Sequence, residues 1–308
     1  QLFQNGILLR EGSLVDLNKL NFLVTLSECG SFTDAAERLF TTQSSVSKVI
    51  KALEDEVGIR LVDRSKRKIA ITEQGKVVVQ HAKSILASYN YMMRDISGYV
   101  SEHAGEVKIA VIPTMAHYNF PTFLAEFRKL YPTVTLTIEE SESISALDKL
   151  DMMSCDLCFI QSEHLDRRKF RKIVISQDRL VAVLPKNHRL AERPQIALRE
   201  LEKESFLQQS LSTPLINPIL DICKKAGFNP SISYIGKHHE NIVSMVEINM
   251  GVSLMMQRAA EFFKTEEVVI VPLEEEVVSE FSLVRKQKRD LVQAANLFWE
   301  YMQSSCIS

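Results

Sequence analysis

The sequence predicts an α/β protein with a helical N-terminal part. Three observations predict this fold class. Apolar residues recur at helical spacing from Ser31 to Val57, and one long helical pattern follows Thr72. From Glu106 onward, short apolar runs alternate with helical patterns, which is typical of α/β layers and predicts largely parallel sheets. A chain of 308 residues is long enough for two or three domains.

The first element is a pair of short helices joined by a tight turn. Ser31 and Thr42 are residues that commonly cap helix N-termini, and Gly58 supplies a C-terminal stop. Apolar residues share one face of the second helix, namely Val46, Ile50 and Leu53. Small polar and cationic residues share the opposite face, namely Gln43, Ser44, Ser47, Lys48 and Lys51. Such a helix fits the major groove of DNA, where these groups bind base edges. The segment alone also fits an ordinary helical hairpin with a solvated face.

The next element is a β-hairpin, or wing, over Arg60–Thr72. Its tip is rich in cationic residues and includes Arg64, Lys66 and Arg67. Cationic side chains neutralise phosphates, a contact that gives affinity for DNA without sequence information. A basic wing directly after a base-reading helix favours DNA binding over the plain hairpin.

A long helix follows the wing. Its apolar residues recur at 4-3-4-3-4 spacing, namely Val78, Ala82, Ile85, Tyr89, Met92 and Ile96. This heptad pattern is typical of a helix that pairs with a second copy of the chain. Two-fold pairing would place two base-reading helices on a near-palindromic DNA site.

The remainder of the chain alternates between strands and helices. Strands are predicted at 106–112, 134–139, 156–161, 173–176, 180–184, 205–209, 231–235, 252–256, 268–272 and 281–285. Helices are predicted at 118–130, 144–152, 198–203, 214–226, 240–249, 256–263 and 289–302. Ligands bind such sheets beyond the carboxyl ends of the strands, where helix N-termini attract anions.

A small-molecule site is therefore predicted at the loops after these strands. Its candidate residues are Thr114, Met115, Gln161, Ser210, Thr213, His238 and His239. The hydroxyl groups would donate hydrogen bonds, and one of the two histidines would supply a cation to an anionic metabolite. Each residue has a plainer alternative, because threonines cap helices, methionines fill cores and histidines are often exposed to solvent.

Composition limits the other function classes. The net charge is only −2, so any nucleic-acid signal is local. Five cysteines suit a reducing cytoplasm, and Cys155 and Cys158 fit buried strand thiols better than a redox or zinc motif. The sequence contains none of the phosphate-binding, nucleophile-elbow or metal-binding motifs of enzymes on similar scaffolds. No apolar run approaches the length of a membrane span, and no signal-peptide pattern favours export.

Spaced residues across the N-terminal part resemble the LysR-type transcriptional regulators. The matching segments are Leu17–Leu23, Gly30–Thr33, Ala35–Leu39, Thr42–Ser44, Val46–Lys48 and Thr72–Gly75. Further matches occur at Gly105–Ile109, Phe127–Pro132 and Ala226–Pro230, so the resemblance covers nearly the whole chain. Two positions depart from the family pattern, since many members have Pro at Ser44 and Gly in place of Ser154-Cys155.

The resemblance implies a winged helix-turn-helix domain (15–72), a dimerisation helix (73–102) and an effector-binding domain (104–303), with residues 1–14 left out of the fold. It implies two Rossmann-like subdomains like those of periplasmic binding proteins, 105–177 with 268–303, and 178–267. The chain would cross between them near 176–179 and 265–272. It adds Ser31, Thr33 and Thr42 to the DNA-binding residues. Expected partners are double-stranded DNA, further copies up to a tetramer, a small-molecule effector and RNA polymerase. No cofactor, membrane or enzymatic activity is expected.

Overall fold

The structure, a computed structural model, describes residues 16–63, 69–98, 105–163, 165–209 and 218–306. It consists of two compact units, with the division between Ile96 and Ser97.

The N-terminal unit begins with three helices around one apolar core. They are α1 (Leu17–Cys29), α2 (Phe32–Arg38) and α3 (Gln43–Val57). Ser31 and Thr42 cap α2 and α3 as predicted, because each hydroxyl accepts a hydrogen bond from a backbone N–H three residues later. Gly58 ends α3 with a φ of 73°, a left-handed conformation that glycine adopts without strain. The core holds residues of all three helices, including Leu23, Ala35 and Ile50.

The predicted wing is confirmed as a short antiparallel hairpin. Its strands are β1 (Val62–Asp63) and β2 (Ala70–Ile71), with Val62 opposite Ile71. The Glu54 carboxylate of α3 accepts hydrogen bonds from the backbone N–H groups of Leu61 (2.8 Å) and Val62 (3.0 Å). These two bonds attach the base of the wing directly to α3.

The long helix α4 (Glu73–Gly98) starts against the wing. A Cβ atom on Gly75 would lie 2.2 Å from the carbonyl oxygen of Leu61, so only glycine allows this approach. The predicted seam divides into two parts. Val78 packs against the core of the N-terminal unit, and Ala82 is buried. The later residues of the seam are exposed, at 48% (Ile85), 39% (Tyr89), 47% (Met92) and 53% (Ile96).

The second unit is built from strands and helices in alternation. Its strands are β3 (Gly105–Val111), β4 (Val134–Glu140), β5 (Leu157–Gln161), β6 (Phe170–Pro185), β7 (Ser205–Gln209), β8 (Ser231–Gly236), β9 (Ser253–Met256), β10 (Val268–Pro272) and β11 (Val278–Lys286). Its helices are α5 (Phe120–Leu130), α6 (Ser143–Asp151), α7 (Pro218–Lys225), α8 (His239–Glu247), α9 (Gln257–Phe263) and α10 (Gln293–Cys306). Two 3₁₀ segments cover Pro113–Tyr118 and Leu198–Leu201.

One long strand, β6, joins two sheets. Its first part pairs with β11 up to Arg179, and its second part pairs with β9 and β10 from Leu180 onward. The prediction of two separate strands at 173–176 and 180–184 was therefore wrong. The polar residues between them stay extended because β11 pairs with them, with Ser279 opposite Asp178.

The prediction of largely parallel sheets was also wrong. Strands β9, β10 and β11 all run antiparallel to β6, and β11 runs antiparallel to β5. Among the described strands, parallel pairing joins only β3 to β4, β3 to β5 and β7 to β8. Strand β10 pairs with the second part of β6, with Val268 opposite Pro185 and Pro272 opposite Val181.

Several helix boundaries differ from the predicted ones. The helix expected from Tyr118 begins at Phe120, because Asn119 has a left-handed φ of 58° and separates it from the preceding 3₁₀ segment. The C-terminal helix starts at Gln293 and not at Arg289. These differences arise at helix ends, which apolar periodicity defines least well.

Candidate functional sites

Helix α3 has one buried and one exposed face. Val46, Ile50 and Leu53 have no solvent-accessible surface and fix the helix against the core. The opposite face is exposed and carries Gln43, Ser44, Lys48 and Lys51, with Ser47 half-buried beside them. Amide and hydroxyl groups donate and accept hydrogen bonds, and the two ammonium groups attract anions. This arrangement can present polar groups to the base edges and phosphates of DNA.

The N-terminus of α3 is held by Thr42. Its hydroxyl accepts from the Ser45 N–H (3.2 Å) and lies within hydrogen-bond distance of the hydroxyls of Ser44 (3.0 Å) and Ser45 (2.9 Å). Thr42 is therefore committed to the cap and orients Ser44, which lies at the start of the exposed face. Ser31 has the equivalent role at α2, through a 3.4 Å bond from the Asp34 N–H.

The remaining residues predicted to bind DNA lie in two places. Thr33 is exposed in the first turn of α2. Arg64, Lys66 and Arg67 lie outside the described residues. Phe40, in the turn between α2 and α3, is 98% exposed and has a positive φ of 52°.

A cavity of about 380 Å³ lies in the second unit. It adjoins the point where β6 passes from one sheet to the other, at Leu180. Its apolar lining includes Leu180, Ile222, Leu254, Met255, Val277 and Phe281. Its charged lining residues, among those described, are Glu163, Asp221 and Lys225. A cavity of this size and composition can hold a small molecule with an apolar body and a few polar groups.

Three of the predicted effector residues line this cavity. They are Thr114, in the 3₁₀ segment after β3, Gln161, at the end of β5, and His239, at the start of α8. Met115 and His238 are not among the described lining residues, and Ser210 and Thr213 lie outside the described residues. The side chains of Gln161, Glu163 and Ser279 form a closed network, with the Gln161 amide donating to Glu163 (2.7 Å) and Ser279 (2.8 Å).

The expectation that one of the histidines supplies a cation fails for His239. Its ring is 8% exposed and stacks on Phe263, with ring centroids 5.6 Å apart. Burial, with repulsion from His117 as a second cause, lowers the pKa of His239 to about 4. His239 is therefore neutral at physiological pH. Its exposed neighbour His238 forms no side-chain cap at the start of α8.

The buried carboxylate of Asp178 occupies the junction within β6. It accepts hydrogen bonds from the Tyr118 hydroxyl (3.0 Å), the Arg258 N–H (3.2 Å) and the Arg179 N–H (2.8 Å). Tyr118 precedes the crossing in sequence and lines the cavity, whereas Arg258 follows it at the start of α9. Asp178 thus ties elements from both sides of the crossing. Sequence reasoning missed it because an acidic residue between two apolar runs looks like a turn.

The cysteines form no disulfide, and three of them are buried thiols. All five are free, and Cys155, Cys158 and Cys223 are buried. Burial raises the pKa of Cys155 to about 12, that of Cys158 well above its ordinary range, and that of Cys223 to about 11. No cluster with the ligands for a metal ion occurs within the described part of the chain.

Two family models match the chain. The model for "Bacterial regulatory helix-turn-helix protein, lysR family" matches residues 17–76, and the model for "LysR substrate binding domain" matches residues 101–307. The first match spans α1 to α3 and the wing, and the second spans the unit that contains the cavity. None of the helices in the described residues is long and apolar enough to cross a membrane.

Similar proteins share most of the length of the chain. The "Uncharacterized HTH-type transcriptional regulator YwbI" of Bacillus subtilis is 30% identical over 291 residues, which cover 94% of this chain and 96% of that protein. The "Hydrogen peroxide-inducible genes activator" of Haemophilus influenzae is 26% identical, covering 80% and 81%. The structure of CbnR, a LysR family transcriptional regulator, matches with a TM-score of 0.71 and 16% identity, covering 94% of this chain and 99% of that one. At that identity the likeness concerns the fold alone.

Proposed function

Since this chain belongs to the LysR family of bacterial transcriptional regulators, we propose that α3 is its base-reading element and that the 380 Å³ cavity is its effector site. At the family level, the chain is a DNA-binding regulator with a small-molecule-binding domain, and the family consists of regulators and not enzymes. The residues that perform each step, the assembly and the chemistry of the effector belong to the proposal. Its place of action, at chromosomal DNA, makes the cytoplasm the proposed location.

The observation that carries the DNA-binding proposal is the two-faced packing of α3. Because one face of α3 is buried against the core, the opposite, polar face points away from the core. Gln43, Ser44, Ser47 and Lys48 would bind base edges. Lys51 would bind phosphate, together with the wing residues Arg64, Lys66 and Arg67. Base contacts give specificity and phosphate contacts give salt-dependent affinity.

The substitution Gln43→Ala tests the base-reading role. It should lose about 1–3 kcal/mol of binding to the preferred operator, with the loss confined to one base position. The measurement is binding to a set of operators that differ by single base pairs, at fixed salt. Gln80→Ala is the matched control, because Gln80 is an exposed glutamine on α4 of the same unit. If Gln43→Ala ranked every operator as the parent does, the base-reading role would be refuted.

Dimerisation through α4 would bring two such helices onto one near-palindromic operator. The exposed seam of Ile85, Tyr89, Met92 and Ile96 supports this proposal, since apolar side chains in a regular row favour a helical partner. Assembly of two dimers into a tetramer remains an implication of the family resemblance.

For the effector we propose a small organic anion with an apolar body. The apolar lining favours the body, and Lys225, at the end of α7, is the only cationic side chain in the described lining. Asp221 lines the same cavity one turn earlier on α7, and this favours a second candidate, a zwitterion. In that case the ammonium of the ligand would pair with Asp221 and its carboxylate with Lys225.

Variants of α7 separate the two candidates. Lys225→Met keeps the aliphatic chain and removes the charge, so it should weaken either ligand, whereas Lys224→Met, its exposed neighbour outside the lining, should not. Asp221→Asn should tighten binding of a simple anion and weaken binding of a zwitterion. The measurement is a thermal-shift titration with small carboxylates and amino acids. An unchanged response in Lys225→Met would refute the charge-pairing role.

Peroxide sensing fits this chain less well than ligand binding, although one similar protein is named for a response to hydrogen peroxide. Peroxide reacts with thiolates that are accessible and have a lowered pKa. The thiols of Cys155, Cys158 and Cys223 are buried and have raised pKa values. None of these three thiols therefore fits a peroxide-reactive cysteine.

A further inference from the structure

Three polar side chains form one corner of the cavity, which we call the polar corner. They belong to Gln161, Glu163 and Ser279, and all three residues line the cavity. The Gln161 amide nitrogen donates to Oε1 of Glu163 (2.7 Å) and to Oγ of Ser279 (2.8 Å). The Ser279 hydroxyl donates to the same Oε1 of Glu163 (2.8 Å). Every side-chain donor of the polar corner is therefore used within the corner itself.

The orientation of the Gln161 amide is fixed by the carboxylate beside it. An ionised carboxylate can only accept hydrogen bonds, so the amide atom 2.7 Å from Glu163 has to be the nitrogen. The carbonyl oxygen of Gln161 and the second carboxylate oxygen of Glu163 then accept no hydrogen bond from the described residues. The polar corner therefore offers two acceptors and no donor to a molecule in the cavity.

The charges of the lining are unbalanced at this corner. Asp221 and Lys225, the other two charged residues of the described lining, lie one turn apart on α7, where opposite charges offset each other. Glu163 has no such cation among the described lining residues, and His239 is neutral. Residues 210–217, which lie outside the described part of the chain, contain no charged side chain. The polar corner thus combines free acceptors with an excess negative charge.

We infer that the Glu163 carboxylate is the specificity-determining contact for the effector, and that it binds a primary ammonium group. An ammonium has three donors and no acceptor, which complements the two free acceptors, and its charge balances that of Glu163. This inference rests on the proposed effector cavity and adds the chemistry of a second group of its ligand. The effector is then an amino carboxylic acid, with its ammonium at the polar corner, its carboxylate at Lys225 and an apolar chain between them.

Two pairs of probe molecules test this inference, and the members of each pair differ only in an ammonium and a methyl group of similar size. 6-Aminohexanoate is compared with heptanoate, and 4-aminobutanoate is compared with pentanoate. Two pairs are used so that the result does not depend on one chain length. The affinity of the full-length protein for each probe is measured by calorimetry at fixed pH and salt. In at least one pair, the ammonium probe should bind about tenfold or more tightly than its methyl counterpart.

The substitution Glu163→Gln should remove this preference. It keeps an oxygen that can accept the bonds from Gln161 and Ser279, and it removes the charge. Glu163→Leu removes both oxygens and should have the same effect, which keeps the test valid if one of the two variants fails to fold. Glu192→Gln is the matched control. Glu192 is exposed in the same unit and is not among the described lining residues, so this variant should keep the preference.

The substitution Asp221→Asn locates the ammonium group. With the ammonium at the polar corner, Asp221→Asn should keep the preference and tighten both members of each pair, because Lys225 loses the charge that offsets its own. With the ammonium at Asp221, the same variant would lose the preference and Glu163→Gln would keep it. The two carboxylates are thus distinguished by one set of titrations.

Three outcomes overturn the inference. The first is the absence of an ammonium preference in the parent. If the carboxylate probes then bind and Lys225→Met weakens them, the effector cavity stands and only the role of Glu163 is lost. The second is a preference that persists in both Glu163 variants. The third is binding of no probe, which also counts against the proposed effector class. A preference that is lost in the Glu163 variants and kept in Glu192→Gln and Asp221→Asn supports the inference.

Discussion

If α4 pairs two copies of the chain as proposed, the substitution Ile85→Asp is expected to separate them. Ile85 lies at the centre of the exposed seam and is 48% exposed in the single chain. An aspartate at a half-exposed helix position can reach water, so the fold of the single chain should tolerate it at a cost of less than about 1 kcal/mol. In a paired seam the same carboxylate faces its counterpart and apolar side chains.

The exposed areas set the magnitude of this effect. Burying a whole isoleucine or methionine contributes about 1.5–3 kcal/mol, so burying the exposed half contributes about 1 kcal/mol. Four seam residues from each of two copies then contribute on the order of 8 kcal/mol, before the entropic cost of association. Ile85→Asp removes about a quarter of this sum and adds the desolvation of two like charges. A loss of about 3 kcal/mol would weaken the dimer roughly a hundredfold.

Analytical ultracentrifugation over a range of protein concentrations measures the dimer dissociation constant. Val77→Asp is the matched control, because Val77 is 56% exposed on the same helix but lies outside the seam. A second readout reports on the helix itself. Tyr89→Cys should form an intermolecular disulfide under oxidation, and this should disappear when Ile85→Asp is added.

The reasoning would be refuted if Ile85→Asp and Val77→Asp had the same dissociation constant, or if the Tyr89→Cys crosslink survived in the double variant. Loss of the crosslink with an unchanged dissociation constant would place the main interface elsewhere in the chain. The operator affinity of Ile85→Asp should fall together with the fraction of dimer, because each monomer then binds a single operator half-site.

Three further predictions concern the two units separately. Gly75→Ala should destabilise the N-terminal unit by about 1–3 kcal/mol, seen in chemical denaturation, because its Cβ would lie 2.2 Å from the Leu61 carbonyl oxygen. Tyr118→Phe removes a hydrogen bond to a buried carboxylate and should destabilise the second unit by about 1.5–3 kcal/mol. Tyr301→Phe, which removes an exposed bond, should change its stability far less. The stability of this unit should also fall between pH 6.5 and about 4, since folding lowers the pKa of His239 to about 4 and the unfolded chain binds its proton first. His239→Phe should flatten that part of the pH profile, and an unchanged profile would contradict the assignment.

The helices of the N-terminal unit could be predicted because their determinants are local. Ser31, Thr42 and Gly58 act through bonds and dihedral angles within a few residues, and they occupy the expected positions in the structure. The apolar spacing of Val46 and Ile50 likewise defines a face without knowledge of its partner. The same reasoning found the seam on α4, but it could not show that Val78 and Ala82 are used within the unit.

The topology of the second unit could not be predicted in the same way. Alternation of strands and helices does not tell which strands pair or in which direction, and β11 returns antiparallel between β5 and β6. The polar residues around Asp178 resemble a turn until the pairing of β11 holds them extended. The cavity was found only in part, because Thr114 and Gln161 have a polar signal at strand ends whereas Leu254 and Phe281 look like ordinary core residues.

The position of the cavity suggests how a ligand could act on the protein. A ligand shifts a conformational equilibrium only by the difference between its affinities for the two states. The cavity is lined by Thr114 and Gln161, which precede the crossing of β6, and by Leu254, which follows it. A ligand that contacts both groups therefore binds most tightly at one relative placement of the two sheets. Asp178, whose bonds span the crossing, opposes other placements, so Tyr118→Phe should change the response to ligand as well as the stability.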